Sequence, residues 1–249
     1  MKRKLIAIIL ALLAFSLLAA CSDAKDEPST SPDATIEESP SPDPVETETP
    51  EPEESETPEP EPEDDDALKN GTIKGYDMGI VDGNVYESEW MNLRFTAPEE
   101  FTMSTTEELL ALISVSLDAA LKDENDKALF DAAAEKSVYE MMATHSMGAP
   151  NIIVMAEQIP NGMSEKSYMA ALKNSLDLVE MDYVFSELYT TEVAGIEFTA
   201  LDMDTTASGI EMKQTMLVSA NGDRAYIMSL TYFDAADKDT MLNCFEALS

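Results

Sequence analysis

The chain has 249 residues, 15 of them basic and 50 acidic, which gives a formal net charge of −35 at pH 7. This acidity excludes a nucleic-acid-binding protein, because such a protein needs a basic surface that neutralises phosphates. It also excludes a polybasic face that adheres to anionic lipid. With two cysteines and one histidine, the chain lacks the residues for a disulfide-scaffolded fold or for a Cys- or His-rich zinc site.

Residues 1–20 are organised as a secretory signal peptide. Three basic residues at positions 2–4 precede a continuous, largely aliphatic run from Leu5 to Leu18, and two alanines follow. The run has 14 residues, whereas a membrane-spanning helix needs roughly 20. The sequence therefore predicts a segment that directs export and is then removed.

The four residues Leu18-Ala19-Ala20-Cys21 resemble the lipobox of bacterial lipoproteins. The resemblance implies cleavage before Cys21 and a thioether-linked diacylglyceride on its sulfur. Two acyl chains hold a protein stably on a membrane, whereas one chain is marginal. We therefore expect the mature protein to be anchored through Cys21 to the extracytoplasmic face of the cell membrane. The alternative is an ordinary signal peptide with a cysteine near its end.

Residues 21–67 are predicted to be a disordered, acidic linker. Positions 22–67 contain 10 of the 13 prolines, 19 acidic residues and one lysine, but no glycine or aromatic residue. Such a segment cannot bury enough apolar surface to offset its chain entropy, and proline and like charges extend it. We interpret it as a stalk. A sponge for Ca²⁺ or for a cationic partner is the alternative, although no spacing here would surround one ion.

Residues 68–249 are the only candidate for a globular domain. They contain all nine glycines and 16 of the 17 aromatic residues. Their 11 basic and 31 acidic residues give the domain itself a net charge of −20. A segment of about 180 residues is ample for one hydrophobic core, and we expect a single domain because no repeat or second linker is present.

Hydrophobic periodicity and turn residues predict the elements of this domain. In chain order they are strands at 84–88 and 93–97, a helix opened by a capping box at 104–107 and ending near Lys122, a helical stretch at 128–135, strands at 138–144 and 152–158, a helix capped by Ser164, strands at 183–190, 196–203, 210–218 and 225–233, and a last helix from about Asp237. Short turns between consecutive strands favour an antiparallel sheet. With amphipathic helices on its faces, the domain is predicted to be α+β.

Two of these elements have more detailed predictions. In the strand at 210–218, apolar residues share one face opposite charged ones, which indicates a half-buried strand: Ile210, Met212, Met216 and Val218. The last helix is predicted to bury an apolar stripe: Met241, Cys244, Phe245 and Leu248. Cys244 is interpreted as a core residue, because a buried cysteine behaves as a small hydrophobe and Cys21 is expected to be lipidated.

The stretch from Asn84 to Pro98 resembles the opening of many bacterial lipoprotein domains, with the pattern N-x-Y-x-N-x-x-x-G-L-x-F-x-x-P. Those domains are similar to the PsbP-like superfamily. Asn92 stands where the pattern has Gly, and Glu100 replaces a Gly before Phe101; Asn adopts positive φ more readily than most residues. The resemblance implies an α/β/α sandwich around an antiparallel sheet. It carries over no catalytic residue.

His145 is the one candidate for a general base. Alternation along its strand would place it on the same side as Tyr139 and Met141, and opposite Ser146. A base needs a nucleophile and an orienting acid, and the sequence has no Gly-x-Ser-x-Gly elbow. We favour a strand-end or surface histidine. A hydrolase-like extracytoplasmic enzyme with a site near His145 is the alternative.

Acidic clusters in the domain offer oxygen atoms that Ca²⁺ prefers as ligands. They are residues 123–126, Asp202 with Asp204, and the group Asp234, Asp237 and Asp239. None of them has the spacing of an EF-hand loop, so a solvated surface is the favoured interpretation. We expect no cofactor, and the last group is a weak Ca²⁺ candidate.

The leading functional hypothesis is a lipid-anchored, non-enzymatic binding module that a stalk holds away from the membrane. Its partner is expected to be an extracytoplasmic protein with a basic surface, because the domain has a net charge of −20. The alternatives are the enzyme near His145 and a ligand- or Ca²⁺-binding lipoprotein.

Overall fold

The computed structural model describes most of the predicted domain, namely residues 69–120, 134–146, 148–176, 183–207 and 210–248. The predicted signal peptide, Cys21 and the acidic linker lie outside these residues. So do the acidic run at 123–126 and nearly all of the helical stretch predicted at 128–135.

The described residues form twelve strands and three helices. The strands are β1 (Ile80–Asp82), β2 (Val85–Ser88), β3 (Leu93–Thr96), β4 (Phe101–Ser104), β5 (Ser137–His145), β6 (Asn151–Gln158), β7 (Val184–Phe185), β8 (Tyr189–Val193), β9 (Ile196–Ala207), β10 (Ile210–Asn221), β11 (Arg224–Tyr232) and β12 (Phe245–Ala247). The helices are α1 (Thr106–Ala120), α2 (Glu165–Leu176) and α3 (Ala235–Leu242). None of these three helices is long and apolar enough to cross a bilayer.

The strands form two antiparallel sheets. The small sheet has the order β1-β2-β3-β12, and the large sheet has the order β4-β5-β6-β11-β10-β9-β7, with β8 also paired to β9. Every strand neighbour is antiparallel. The predicted α+β class, with a mainly antiparallel sheet and amphipathic helices, is confirmed.

One face of the large sheet packs against α1 and α2. Both helices bury apolar residues at helical spacing on this face, with Leu109 and Ile113 on α1 and Leu172 and Leu176 on α2. The helices meet methionines and aliphatic residues of the sheet, which together form the first core. Burial of this apolar surface is the main force that holds the helices on the sheet.

The opposite face of the large sheet is covered by the small sheet and α3, which form a second core. As a result, β10 is buried on both faces: Met216 packs in the first core and Leu217 in the second. The prediction of a half-buried strand is therefore wrong for its central part. Ile210, at its start, is exposed. The small sheet includes two strands, β1 and β12, that the periodicity did not predict.

A β-bulge at Glu140 changes which way the side chains of β5 point. Tyr139 pairs with Met155 and Met141 pairs with Val154, so Glu140 is the extra residue. Tyr139 therefore lies in the first core and Met141 in the second. The prediction that these two residues share a face is wrong, because strict alternation assumes a regular strand.

The cap of α1 lies one residue later than predicted. The hydroxyl of Thr105 accepts a hydrogen bond from the Glu108 amide at 3.2 Å, and the Glu108 carboxylate accepts one from the Thr105 amide at 2.8 Å. This reciprocal pair is a capping box. The predicted box began at Ser104, and the hydroxyls at 104–106 make neighbouring registers hard to distinguish by sequence.

The last helix is shorter than predicted. Asp234 and Asp237 form its capping box, and it ends at Leu242. Phe245 is then extended in β12 and pairs with Phe95 of β3, while Cys244 lies in the connecting turn. The predicted stripe is wrong beyond Met241, because pairing with β3 overrides the helical pattern.

Candidate functional site

Hydrogen bonds from the backbone and from one side chain hold the segment before β1 against β5. The Asn70 side chain accepts a hydrogen bond from the Tyr139 amide at 2.8 Å and donates one to the Tyr139 carbonyl at 3.0 Å. The Gly71 amide donates to the Ser137 carbonyl at 3.0 Å. Residues 70–79 thus lie along the bulged part of β5.

The bulge places the buried carboxylate of Glu140 under this segment. Its Oε1 accepts a hydrogen bond from the Tyr76 hydroxyl at 2.5 Å. Its Oε2 accepts one from the Gly79 amide at 2.6 Å and one from the Tyr86 hydroxyl at 3.2 Å. Three donors from two separate segments therefore converge on one carboxylate, which is 1% exposed.

Aromatic rings and one arginine surround this carboxylate cluster. The Tyr86 and Tyr226 hydroxyls are 2.8 Å apart, and Trp90 packs against Tyr76 and Tyr226 with ring centroids at 5.4 and 6.2 Å. The guanidinium of Arg224 lies over the Tyr76 and Trp90 rings at 5.7 and 6.0 Å. It also donates to the Lys74 carbonyl at 2.7 Å. Arg224 thereby ties the segment before β1 to the large sheet.

Burial governs the electrostatics of this cluster. It raises the pKa of Glu140, and the hydrogen bonds from Tyr76, Gly79 and Tyr86 partly offset that rise. Burial and the neighbouring charge of Glu140 also raise the pKa values of the Tyr76 and Tyr86 hydroxyls. The tyrosines therefore stay protonated and donate to the carboxylate. The arrangement holds the start of β1 in place and offers no obvious nucleophile.

Gly79 allows the close approach that this arrangement requires. A Cβ at this position would collide with the Tyr86 ring and would lie 2.8 Å from Glu140 Oε2. The Gly79 amide could then not reach the carboxylate without a shift of the chain. The cluster and the glycine together set the position of β1, which begins one residue later.

A second polar network joins α3 to the large sheet. Lys238 Nζ donates to the Tyr189 hydroxyl at 2.8 Å and to Asp202 Oδ1 at 2.9 Å. Thr215 donates to the same Asp202 oxygen at 2.5 Å and lies 2.8 Å from the Tyr232 hydroxyl. The hydrogen bonds from Thr215 and Lys238 lower the pKa of Asp202 despite its burial, and those to Tyr189 and Asp202 raise the pKa of Lys238. The network is an ion pair with fixed partners.

Replacing Lys238 with methionine is expected to lower the free energy of unfolding by about 1–2 kcal/mol, because Asp202 loses a charged donor in a half-buried site. Thermal or urea denaturation measures the change. Lys213→Met is the matched control: Lys213 pairs with Asp204 at 3.0 Å, but both side chains are about half exposed, and such pairs contribute little. Equal losses in the two variants would contradict the structural role of the network.

Glu157 is a second buried carboxylate, and Tyr168 of α2 donates to it at 2.7 Å. Burial raises its pKa to about 7, with the Tyr168 hydrogen bond and Lys136 acting in the opposite direction. When folding raises the pKa of a carboxyl group, the group stabilises the protein most at pH values below the pKa that it has in the unfolded chain. That stability is lost as the pH rises through the folded value.

Glu157→Gln is therefore expected to reduce the pH dependence of stability between pH 5 and pH 8. The wild-type protein should lose about 2 kcal/mol more than the variant over this range. Thermal denaturation at both pH values measures the difference, and Glu135→Gln, at an exposed position, is the control. A pH dependence that Glu157→Gln leaves unchanged would show that this carboxylate titrates normally.

His145 lies at the end of β5, where its ring makes an edge contact with Phe101 at 5.8 Å between centroids. Its amide donates to the Pro150 carbonyl at 2.9 Å, and Ser146 is exposed in the turn that follows. This is the strand-end position that the sequence analysis favoured. The enzyme alternative remains a prediction.

The carboxylates of the weak Ca²⁺ candidate have local partners. Asp234 accepts a hydrogen bond from the Ala236 amide at 3.0 Å, and Asp237 accepts one from the Asp234 amide at 3.2 Å. No group of three or more metal-capable side chains occurs within the described part of the chain. Asp234 is thus the N-cap of α3, and Asp237 completes its capping box from within the helix, where Asp239 also lies.

Cys244 is half-buried and packs at the margin of the second core. Its thiol donates to the Thr240 carbonyl at 3.1 Å, and burial raises its pKa. A raised pKa disfavours the reactive thiolate. Cys244 is predicted to be a core residue on the last helix; it instead lies in the turn after α3 and packs only at the margin of the second core.

Glu140 and its partners are not recognisable as a cluster from the sequence. The available signal was an acidic residue within the apolar run Val138–Ala143, since a charge is rarely buried without partners. The partners themselves lie 54 to 64 residues earlier in the chain. No spacing rule connects them.

Comparison with known proteins identifies similar structures and no family. The sequence matches no family model and no curated protein. The structure is similar to cyanobacterial PsbP (CyanoP) from Synechocystis sp. PCC 6803, with 11% identity, 71% of this chain and 98% of that chain covered, and a TM-score of 0.40. It is also similar to LpqN of Mycobacterium tuberculosis, a protein involved in cell envelope biogenesis, with 9% identity, coverages of 61% and 76%, and a TM-score of 0.34.

A third similar structure comes from Bacteroides thetaiotaomicron VPI-5482, with 10% identity and a TM-score of 0.37. The match covers 67% of this chain, which spans only about half (49%) of that protein. A PsbP protein is thus among the similar structures. At these identities the similarities concern the fold alone, and the chain is assigned to no family.

Proposed function

We propose that this protein is a membrane-anchored bacterial lipoprotein whose domain is a non-enzymatic binding module on the extracytoplasmic face. The observation that carries the proposal is that the carboxylates of its main polar clusters are held by groups of the domain itself. Glu140 accepts three hydrogen bonds from within the domain, and Asp202 and Lys238 hold each other. Such groups stabilise a scaffold and leave recognition to the surface.

The chemistry of these clusters supports binding over catalysis. Thr215 would need Asp202, which it contacts, as a general base. However, Thr215 is fully buried, and hydrogen bonds lower the pKa of Asp202. The raised pKa of Lys238 keeps it protonated, so it does not supply a nucleophilic amine. The tyrosines around Glu140 are likewise held in the protonated state.

Presentation away from the membrane follows from the sequence. Cys21 supplies the anchor, and the 46 residues from 22 to 67 supply an acidic, proline-rich stalk. Fully extended, such a stalk reaches about 140 Å at roughly 3.1 Å per residue. The domain at the end of this stalk has a net charge of −20. Electrostatic attraction would therefore favour its encounters with basic surfaces of other envelope proteins.

The test is zero-length cross-linking in the bacterium that makes the protein. A carbodiimide joins carboxylates of this acidic domain to lysines of a bound basic partner, and mass spectrometry identifies the joined peptides. A truncated lipoprotein with residues 1–67 only is the control. We expect a reproducible partner with the full chain and none with the control. The same partner on the anchored stalk alone, or no partner at all, would contradict the proposal.

A further inference from the structure

Exposed apolar side chains are concentrated at the beginning of the domain. Six large hydrophobic residues are exposed in the described part of the chain, and three of them lie within four positions. These are Met78, Ile80 and Val81, at 44%, 71% and 37% exposure. Scattered exposed hydrophobic residues are normal, whereas a group of them close together can mark a contact surface.

Two of them, Ile80 and Val81, lie on β1, which is an edge of the small sheet. Among the described residues it pairs only with β2, with Val81 opposite Tyr86 and Ile80 opposite Glu87. Proteins protect exposed edges with prolines, bulges, charged side chains or very short strands. Ile80-Val81-Asp82 has no proline or lysine, so its protection is limited to its length of three residues and the charge of Asp82. One side of β1 is therefore open to a further strand.

The edge is held in place before any partner binds. The Gly79 amide is fixed on Glu140 at 2.6 Å, and the Gly83 turn, at φ 59°, returns the chain into β2. Because the cluster around Glu140 orders β1 in the free protein, binding of a partner would not include the entropic cost of ordering this strand. The buried carboxylate cluster would thus preorganise β1 for binding as well as stabilise the fold.

The charge around the edge is negative. Four acidic residues, Asp77, Asp82, Glu87 and Glu89, occur from position 75 to 93, and no lysine or arginine occurs there. Of these, Asp82 lies on β1 and Glu87 pairs with Ile80. The next basic residue, Arg94, already pairs with Glu87 at 2.6 Å and with Glu246 at 3.1 Å. Arg224 and Lys74 lie beside the segment that precedes β1, where Arg224 donates to the Lys74 carbonyl at 2.7 Å. Carboxylates thus outnumber cations along β1 and β2 themselves, and the positive charge lies before Asp77.

We propose that β1 binds an extended basic segment of a partner protein as an added strand of the small sheet. This inference rests on the proposed function and names its surface. Main-chain hydrogen bonds along β1 supply the affinity, as in other strand additions. Apolar side chains of the segment lie beside Ile80 and Val81, and lysine or arginine side chains lie near Asp77 and Asp82. A second copy of this chain fits less well, because its own edge has the same negative charge.

The test places a photo-cross-linking amino acid, p-benzoylphenylalanine, in the full-length lipoprotein in its own bacterium, at Ile80 or at Val184. Val184 is the matched control, because it lies on the edge strand β7 of the other sheet and is 69% exposed. Substitution at either exposed site should leave the fold intact. We expect position 80, and not 184, to join a lysine- or arginine-rich segment of another protein, identified by mass spectrometry.

A peptide with the sequence of that segment then provides the quantitative measurement. Fluorescence anisotropy with the detergent-solubilised full-length protein should show binding that weakens with salt. Ile80→Lys, which removes the apolar contact and repels a basic segment, should weaken binding about tenfold, and Val184→Lys should not change it. A peptide that binds equally to both variants would overturn the proposal.

The other outcomes separate the two proposals. Cross-links from position 80 to a second copy would show self-pairing and overturn the basic-segment inference. Cross-links from 184 alone, or a carbodiimide partner without any product at 80, would overturn the role of β1 and leave the binding module standing. With no partner by either chemistry, both proposals fail.

Discussion

Cys21→Ala is expected to abolish membrane anchoring. The lipobox-like sequence predicts that the sulfur of Cys21 carries two acyl chains, and without them the domain has no predicted attachment to the bilayer. The variant should remain as an uncleaved precursor or be released. Phase separation in a cloud-point detergent measures the change: nearly all of the wild-type protein should enter the detergent phase, and only a minor fraction of any cleaved variant.

The second cysteine provides the matched control for this experiment. Cys244 is half-buried in the domain, so Cys244→Ala should retain both detergent partitioning and incorporation of a labelled fatty acid. Fatty-acid label on Cys21→Ala, or continued detergent partitioning of its cleaved form, would show that the anchor lies elsewhere.

Glu140→Ala is expected to destabilise the domain strongly. The substitution leaves the donors of Tyr76, Gly79 and Tyr86 without their acceptor in a buried site. Each buried donor without a partner costs about 1–3 kcal/mol, so a loss of about 4 kcal/mol is expected. For a domain of this size, such a loss lowers Tm by about 10 °C.

Two measurements connect this loss to β1. Hydrogen exchange at the Gly79 amide and at β1 should accelerate more than exchange at α2, because the segment before β1 loses its attachment. The fluorescence of Trp90, the single tryptophan, should report the same loosening, since its ring packs against Tyr76. Glu140→Gln keeps an acceptor oxygen and should lose less, and Glu135→Ala is the exposed control. A loss below about 1 kcal/mol for Glu140→Ala would show that the cluster does not hold β1.

Elements with strong local signals were predicted well. The hairpin β2–β3, the strands β5 and β6 and the helix α2 agree closely with the sequence analysis, because alternation and capping residues act over a few positions. Asn92 indeed has a positive φ, of 54°, where the pattern of similar domains has glycine. The run at 183–190 was predicted as one strand, but it is split into β7 and β8. Between them, Ser186 exchanges hydrogen bonds with the Asp202 backbone.

Short elements were missed for a different reason. β1, β4 and β12 have three or four residues each, which is too short for a periodicity to be recognised. Residues 245–247 continued a helical pattern and became a strand only because β3 offers them a hydrogen-bonding edge. Pairing across about 150 residues cannot be read from local preference.

The sequence by itself determined the acidic charge, the α+β class and most of the long strands and helices, and it predicts the anchor and the stalk. These properties depend on composition or on neighbours along the chain. Only the tertiary structure decided that Glu140 bulges out of β5, that three distant donors meet it, and that the small sheet leaves β1 at its edge. Those features arise from contacts between residues far apart in the chain. The local sequence around one residue does not indicate which distant residue it contacts.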